Sequence, residues 1–259
     1  HIINGAFLAE ASGSEPKLLQ VWINYKAAPV LNLKIGQFKY PFGIEGYAPA
    51  PTWRFINPSY ITARVAKTLG RGGAAFRDAG AQASGIVWVG ESLKFSYKVA
   101  LINGNGINLK DDNDYKDLVF HAELSGLLKS SIGFSVYKGT WQESPDTSRS
   151  ESGFGIDYIT QTQLADRDLR FQYEYIFMNY QTAGEDETHS GFYIYGTYFF
   201  RPNLEAGARF DSFTSSNDTP TRTTMMAGYY FSPLHRININ YEIPDNEDPT
   251  LTIQFQVVF

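Results

Sequence analysis

Along most of this chain apolar and polar residues alternate one by one, the period of a strand with two unlike faces. The last stretch shows it most plainly: Leu251, Ile253, Phe255, Val257 and Phe259 share one face, and Thr252, Gln254 and Gln256 the other. About fourteen such stretches are predicted, at residues 2–10, 17–27, 31–38, 78–89, 93–103, 115–124, 130–138, 153–161, 169–180, 191–200, 204–213, 222–231, 236–242 and 250–259. Most are close to the roughly 9–11 residues with which a tilted strand crosses a bilayer. The connections alternate as well. Short turns at 90–92, 127–129, 201–203 and 232–235 interleave with longer polar ones at 104–114, 142–152, 181–190, 214–221 and 245–249, and 163–168 is the least regular turn. Short periplasmic turns opposite longer outer loops are the pattern of a transmembrane barrel, and an even strand count puts both termini on the periplasmic side.

Energy decides which face is which, because a charge on the lipid face costs about 2–4 kcal/mol near the midplane. Leu93, Phe95, Tyr97, Val99 and Leu101 therefore face out, leaving Lys94, Ser96 and Lys98 inside. The same argument places Lys34, Arg170, Gln172, Glu174, Glu205, Arg209, Asp211, Arg236, Asn238, Asn240 and Glu242 in the lumen, together with Asp78, Gln82, Asp117, His121, Glu123 and Asp157. A lumen with so many charges of both signs is a wet one, and about fourteen strands make a barrel too wide for side chains alone to fill. Ala79, Ala81, Ala83 and Gly85 stand out as a small-residue face turned outward, smooth enough to seat a neighbouring barrel.

Composition narrows the picture. Aromatic residues make up 15% of the 259 residues, and Phe199, Phe200, Tyr229, Tyr230, Phe231 and Phe259 fall at one strand end, Trp141, Tyr180 and Phe213 at the other, as interfacial belts require. Mean hydropathy is only −0.28, and no run of about 18 apolar residues offers a membrane helix. A net charge of −5 argues against nucleic acid as a partner. The absence of cysteine excludes disulfides and thiolate metal sites, and no cofactor motif is present. The chain reads as one domain, residues 1–259, in a bacterial outer membrane, surrounded by lipid and lipopolysaccharide. It begins at His1, so residues can precede it.

Residues 39–76 form a connection much longer than any other, rich in Gly and Pro. It carries Trp53, Arg54, Tyr60, Arg64, Lys67 and Arg71 but a single acid, Glu45. A basic, aromatic segment in an acidic chain is expected to fold from the outer side into the lumen and narrow it. Candidate anion-path residues are Lys34, Lys94, Lys98, Arg170, Arg209 and Arg236 on the wall, and Arg54 and Arg64 on the loop, since a ring of bases concentrates anions. The competing role for each is an ion pair with a neighbouring acid.

Gly36, Gln37, Phe38, Lys39, Pro41, Phe42 and Gly43 resemble the G-Q-F-K-x-P-F-G signature of the phosphate-selective O/P-type porins. Arg77, Asp78, Gly80 and Gly85 are similar to the R-D-x-G-x-x-x-x-G element that follows in that family. The two motifs cover about the first third of the chain. The resemblance implies an outer-membrane channel, trimeric, with anions such as phosphate as cargo. It also implies sixteen strands and a regular arginine series, whereas here about fourteen strands are legible and the bases are scattered among acids; two further strands would have to precede His1.

Rival readings have less support. No nucleophile motif accompanies the four histidines, so catalysis is not expected. Asp111-Asp112-Asn113-Asp114 lacks the glycine and distal glutamate of a hand-type calcium loop and reads as a solvated loop, bridged by divalent ions to lipopolysaccharide. Gly70-Arg71-Gly72-Gly73 lacks the Walker pattern. The expected function is passive diffusion of small hydrophilic solutes or ions. The alternative is a structural barrel, a sleeve or scaffold for a partner protein in an envelope complex; a soluble lipocalin-like barrel is the remaining option.

Overall fold

The computed structural model describes residues 2–11, 16–69, 76–111, 113–144, 147–182, 185–232 and 235–257. Phe259, His1, Arg71, the Gly70–Gly73 stretch and Asp112 lie outside the described residues. Fourteen antiparallel strands follow one another in an up-and-down meander, each hydrogen-bonded to the next in chain order. They are β1 (Ile2–Glu10), β2 (Lys17–Ala28), β3 (Leu31–Lys39), β4 (Arg77–Val89), β5 (Leu93–Ile102), β6 (Asp117–Leu127) and β7 (Ser130–Ser144). The second half holds β8 (Thr147–Leu164), β9 (Arg167–Thr182), β10 (Glu185–Arg201), β11 (Leu204–Thr214), β12 (Thr221–Tyr230), β13 (Arg236–Pro244) and β14 (Thr250–Gln256). No β1–β14 pairing is present among the described residues. The sheet nevertheless wraps round one interior, because the segment between β3 and β4 makes hydrogen bonds to inward side chains of β7, β9, β11, β13 and β14 alike.

The two faces follow the alternation in the sequence. Outward Ile253 and Phe255 are each 64% exposed, while inward Arg209 is 1% exposed. Apolar outside and charged inside is the reverse of a water-soluble core, and it fits a hydrocarbon surround. Inward Gln82 Oε1, His121 Nδ1, both Asp157 carboxylate oxygens and the Asn238 amide are buried polar atoms with no hydrogen-bond partner in the protein. Replacing outward Val99 by arginine is expected to lower folding stability in lipid by about 2–4 kcal/mol, read from urea unfolding in vesicles. Arginine at inward Ser96 should cost far less.

Three expectations need correction. The loops foreseen at 142–152 and 181–190 are largely strand: β7–β8 pairing continues through Trp141 and Arg149, and β9–β10 pairing through Thr182 and Glu185. Cross-strand partners sustain these hairpins, so strand length exceeds what membrane thickness demands. The turn foreseen at 163–168 is only Ala165 and Asp166, with φ of 50° and 58°. Like Leu128 and Lys129 at 50° and 56°, they have the positive φ of a type I′ hairpin, whose twist matches the strands. The third correction concerns the long connection, which is not irregular. It holds α1 (Ile44–Tyr47), a 3₁₀ turn (Ala50–Thr52) and α2 (Tyr60–Leu69).

Candidate functional site

Residues 40–69 lie inside the barrel, and each of their elements has a sequence reason. Ser59 accepts the Thr62 N–H at 3.4 Å as the N-cap of α2. Ile61, Val65 and Leu69 recur every fourth residue and are buried, while Arg64 and Lys67 stand exposed on the other side. The apolar side of α2 joins Phe38, Tyr40, Phe42, Phe76, Tyr137, Ile176, Met178 and Phe213 in one core, so the upper lumen near β7, β9 and β11 is filled by protein.

Carboxylates and arginines bolt the segment to the wall. Glu174 accepts the N–H groups of Ile44 (2.5 Å) and Glu45 (3.2 Å). Glu45 in turn accepts from the Ser59 N–H (2.9 Å) and hydroxyl (2.7 Å), and the Tyr60 N–H donates to Asp211 at 2.8 Å. Negative charge at these free N–H groups is favourable. Arg209 donates to Asp211 (3.1 Å), to the carbonyls of Asn57 (2.9 Å) and Pro58 (3.3 Å), and to Glu45 (3.4 Å). Arg222 bridges Asp211, Glu242 and the Pro58 carbonyl, with Tyr60 beneath its guanidinium at 4.3 Å. Arg236 donates to the Trp53 carbonyl and to that of Pro51, while the Trp53 indole N–H donates to the Glu45 carbonyl at 3.1 Å. Arg54 pairs with Glu205 at 3.1 Å and donates to the Tyr230 hydroxyl at 2.7 Å. Burial opposes the charge of Arg54, but Glu205 and Tyr230 outweigh it and push the guanidinium further up.

Gly43 shows how closely the loop approaches the wall. Its φ is 67°, and a Cβ there would come within 2.6 Å of the Glu174 carboxylate. Gly43→Ala is expected to cost about 1–3 kcal/mol, through left-handed strain and the loss of the Glu174 bonds, seen as a lowered thermal unfolding midpoint.

The lysines are placed differently. Among the described residues no carboxylate lies within 4.0 Å of the ammonium of Lys34, Lys94 or Lys98. Lys34 lies over the Trp22 ring at 4.6 Å, and Lys98 over Tyr47 at 4.8 Å. Burial pushes the Tyr47 phenol up, so its ring stays neutral under the cation. Register brings Lys34 beside Gln82 and Lys98 beside Ser84 on β4, two residues apart on the same inward face. Lys94 is further toward the short-turn end, level with Ser125. Among the described residues Arg170 also lacks an acid partner: it donates to the Tyr195 hydroxyl and Gln172, and lines a small gap with Trp53, Arg54 and Phe55.

The wall thus divides the expected anion path in two. Arg209 and Arg236 hold the loop, with Arg54 beside them. Lys34, Lys94 and Lys98 remain as cations with no carboxylate within 4.0 Å among the described residues. Arg64 and Lys67 stand apart, at the long-loop mouth. The anchoring carboxylates Glu45, Asp211 and Glu242, and Arg222 with them, were not legible as a set, because the contacts that join wall to loop span more than 140 residues of sequence.

Solved structures share this architecture. A loop L8 deletion mutant of OmpT, an outer membrane protein of Vibrio cholerae, superposes with a TM-score of 0.66 at 11% identity, covering 98% of this chain and 84% of that one. The fold is that of an outer-membrane barrel. In-vitro folded OmpT of Vibrio cholerae in a trimer form gives 0.54 at 11% identity over 94% of this chain and 86% of the other. A porin refined at 1.8 Å gives 0.55 at 9% identity over 98% and 89%. No family model matches the chain, and no curated protein matches it in sequence. The likeness is therefore one of fold, and the phosphate-selective signature is a local resemblance in the first third.

Proposed function

We propose that this chain is an outer-membrane porin, through which small hydrophilic solutes and ions diffuse passively, with a modest preference for anions. The observation that carries the preference is the division of bases: the anchoring arginines are joined to carboxylates and carbonyls, whereas Lys34, Lys94 and Lys98 have no carboxylate within 4.0 Å among the described residues. Phosphate is held tightly by bidentate arginine forks, and here those forks are largely engaged. Lysines act as point charges that raise local anion concentration without gripping the ion, which suits conduction. The orientation follows from the turn pattern, with short turns and both termini in the periplasm. The outward Ala79, Ala81 and Ala83, flanked by Ile35 and Leu101 at the level of Ala81, offer a flat seat for a neighbouring barrel in a trimer.

Planar-bilayer recording under a salt gradient tests the reading. A steady current whose reversal potential favours chloride over potassium is the expected result. No current from correctly folded protein would overturn it and favour the second reading, a structural barrel in an envelope complex. That reading draws on the apolar core packed between α2 and the wall, which fills part of the lumen with the chain's own loop.

A further inference from the structure

At the long-loop mouth, Arg64, Lys67, Trp141, Arg149, His189 and Phe213 surround an open cavity of about 570 Å³. Small-molecule sites typically span about 300–1,000 Å³. The cavity is built by five elements. The exposed side of α2 supplies Arg64 and Lys67, one turn apart, with Thr68 beside them; β7, β8, β10 and β11 supply Trp141, Arg149, Glu187, His189 and Phe213, and the loop after β11 adds Ser215 and Asp218.

The charges around it are unequal in availability. Arg149 pairs with Glu151 at 2.7 Å and lies over Trp141 at 4.7 Å and Tyr180 at 5.1 Å. His189 is joined to Glu187 at 2.7 Å and meets the Phe213 ring at 5.2 Å. Arg64 rests over Phe213 at 5.4 Å, and neither it nor Lys67 has a carboxylate within 4.0 Å among the described residues. Two cations with no ion-pair contact among the described residues therefore border a space that also contains aromatic side chains, the hydroxyls of Thr68 and Ser215, and the carboxylates of Glu187 and Asp218.

Those features select a ligand class. An inorganic anion would leave the aromatic side chains and most of the volume unused. A neutral sugar would leave the two exposed cations paired only with water. A ring that carries both hydroxyls and a carboxylate can meet the cations, an aromatic side chain and the polar rim, where the carboxylates of Glu187 and Asp218 accept hydroxyl protons. We propose that this vestibule binds a sugar acid, with its carboxylate on Arg64 and Lys67, its ring against Trp141, and its hydroxyls toward Thr68 and Ser215. The site lies outside the group formed by Lys34, Lys94 and Lys98, and occupancy does not depend on conduction.

Isothermal titration calorimetry on the detergent-solubilised full chain, with glucuronate, glucose and sulfate as probes, tests this. Glucuronate is expected to bind, with glucose and sulfate each about tenfold weaker or more, the worth of one charge-assisted contact or of the ring contacts. The double variant Arg64→Gln, Lys67→Gln keeps the buried side of α2 intact and should lose glucuronate about tenfold while leaving glucose unchanged. Lys67→Glu, a second and independent change, should do the same. Equal binding of glucuronate and glucose, sulfate binding as well as glucuronate, or unaltered glucuronate affinity in both variants would each overturn the assignment. Because the readout is equilibrium binding, its failure is separable from failure of the channel reading, which rests on current alone.

Discussion

With Lys34 and Lys98 both replaced by glutamate, the channel is expected to pass cations in preference to anions. The two ammoniums sit on the same inward face, beside Gln82 and Ser84, without a carboxylate in ion-pair range among the described residues. In a wet lumen a unit charge about 4 Å from a passing ion is worth about 1 kcal/mol, so reversing one lysine changes the energy of each ion by about 2 kcal/mol in opposite senses and the balance between anion and cation by about 4 kcal/mol before screening. Two reversals act together, and the shift shrinks at high salt, where the Debye length falls to about 3 Å at 1 M. The sign of the reversal potential in a potassium chloride gradient reads the result directly. Lys94→Glu, closer to the short-turn rim, should move it less. A reversal potential that keeps its sign in the double variant would remove these lysines from the solute path.

Arg209→Met is expected to cost about 3–5 kcal/mol of stability and to raise and destabilise the single-channel current. The side chain is fully buried and joins three parts of the structure: Asp211 on β11, Glu45 in α1, and the Asn57 and Pro58 carbonyls before α2. Methionine fills similar volume but satisfies none of these groups. Arg222 still reaches Asp211 and Pro58, so the loop should loosen rather than leave the lumen. Equilibrium unfolding in urea gives the stability change, and the distribution of open-channel currents gives the loop's freedom. Wild-type stability together with an unchanged current distribution would show that the loop is held without Arg209.

Strand number and facing were legible because a strand's period of two needs no partner to be read. Every other side chain from Leu93 to Leu101 is apolar, and the cost of lysine in hydrocarbon leaves one register for that strand. Helix α2 was legible in principle, from Ser59 as cap and from Ile61, Val65 and Leu69 at spacing four, but the Gly- and Pro-rich flanks masked it. The extra length of β7 to β10 was hidden because polar cross-strand pairs above the membrane look like loop composition.

The sequence by itself determined the membrane-spanning β architecture, the inward direction of the charged residues and the presence of one unusual connection, since all three follow from local alternation and desolvation cost. Which base is neutralised was decided only by the tertiary structure. Arg209 and Arg236 look no different from Lys34 and Lys98 as letters on inward faces, yet the loop's path delivers Glu45 and backbone carbonyls to the two arginines and the Tyr47 ring to Lys98, while Lys34 lies over Trp22 of β2. Ion pairing acts over a few ångströms, and those distances exist only once strands far apart in sequence have closed around the same loop.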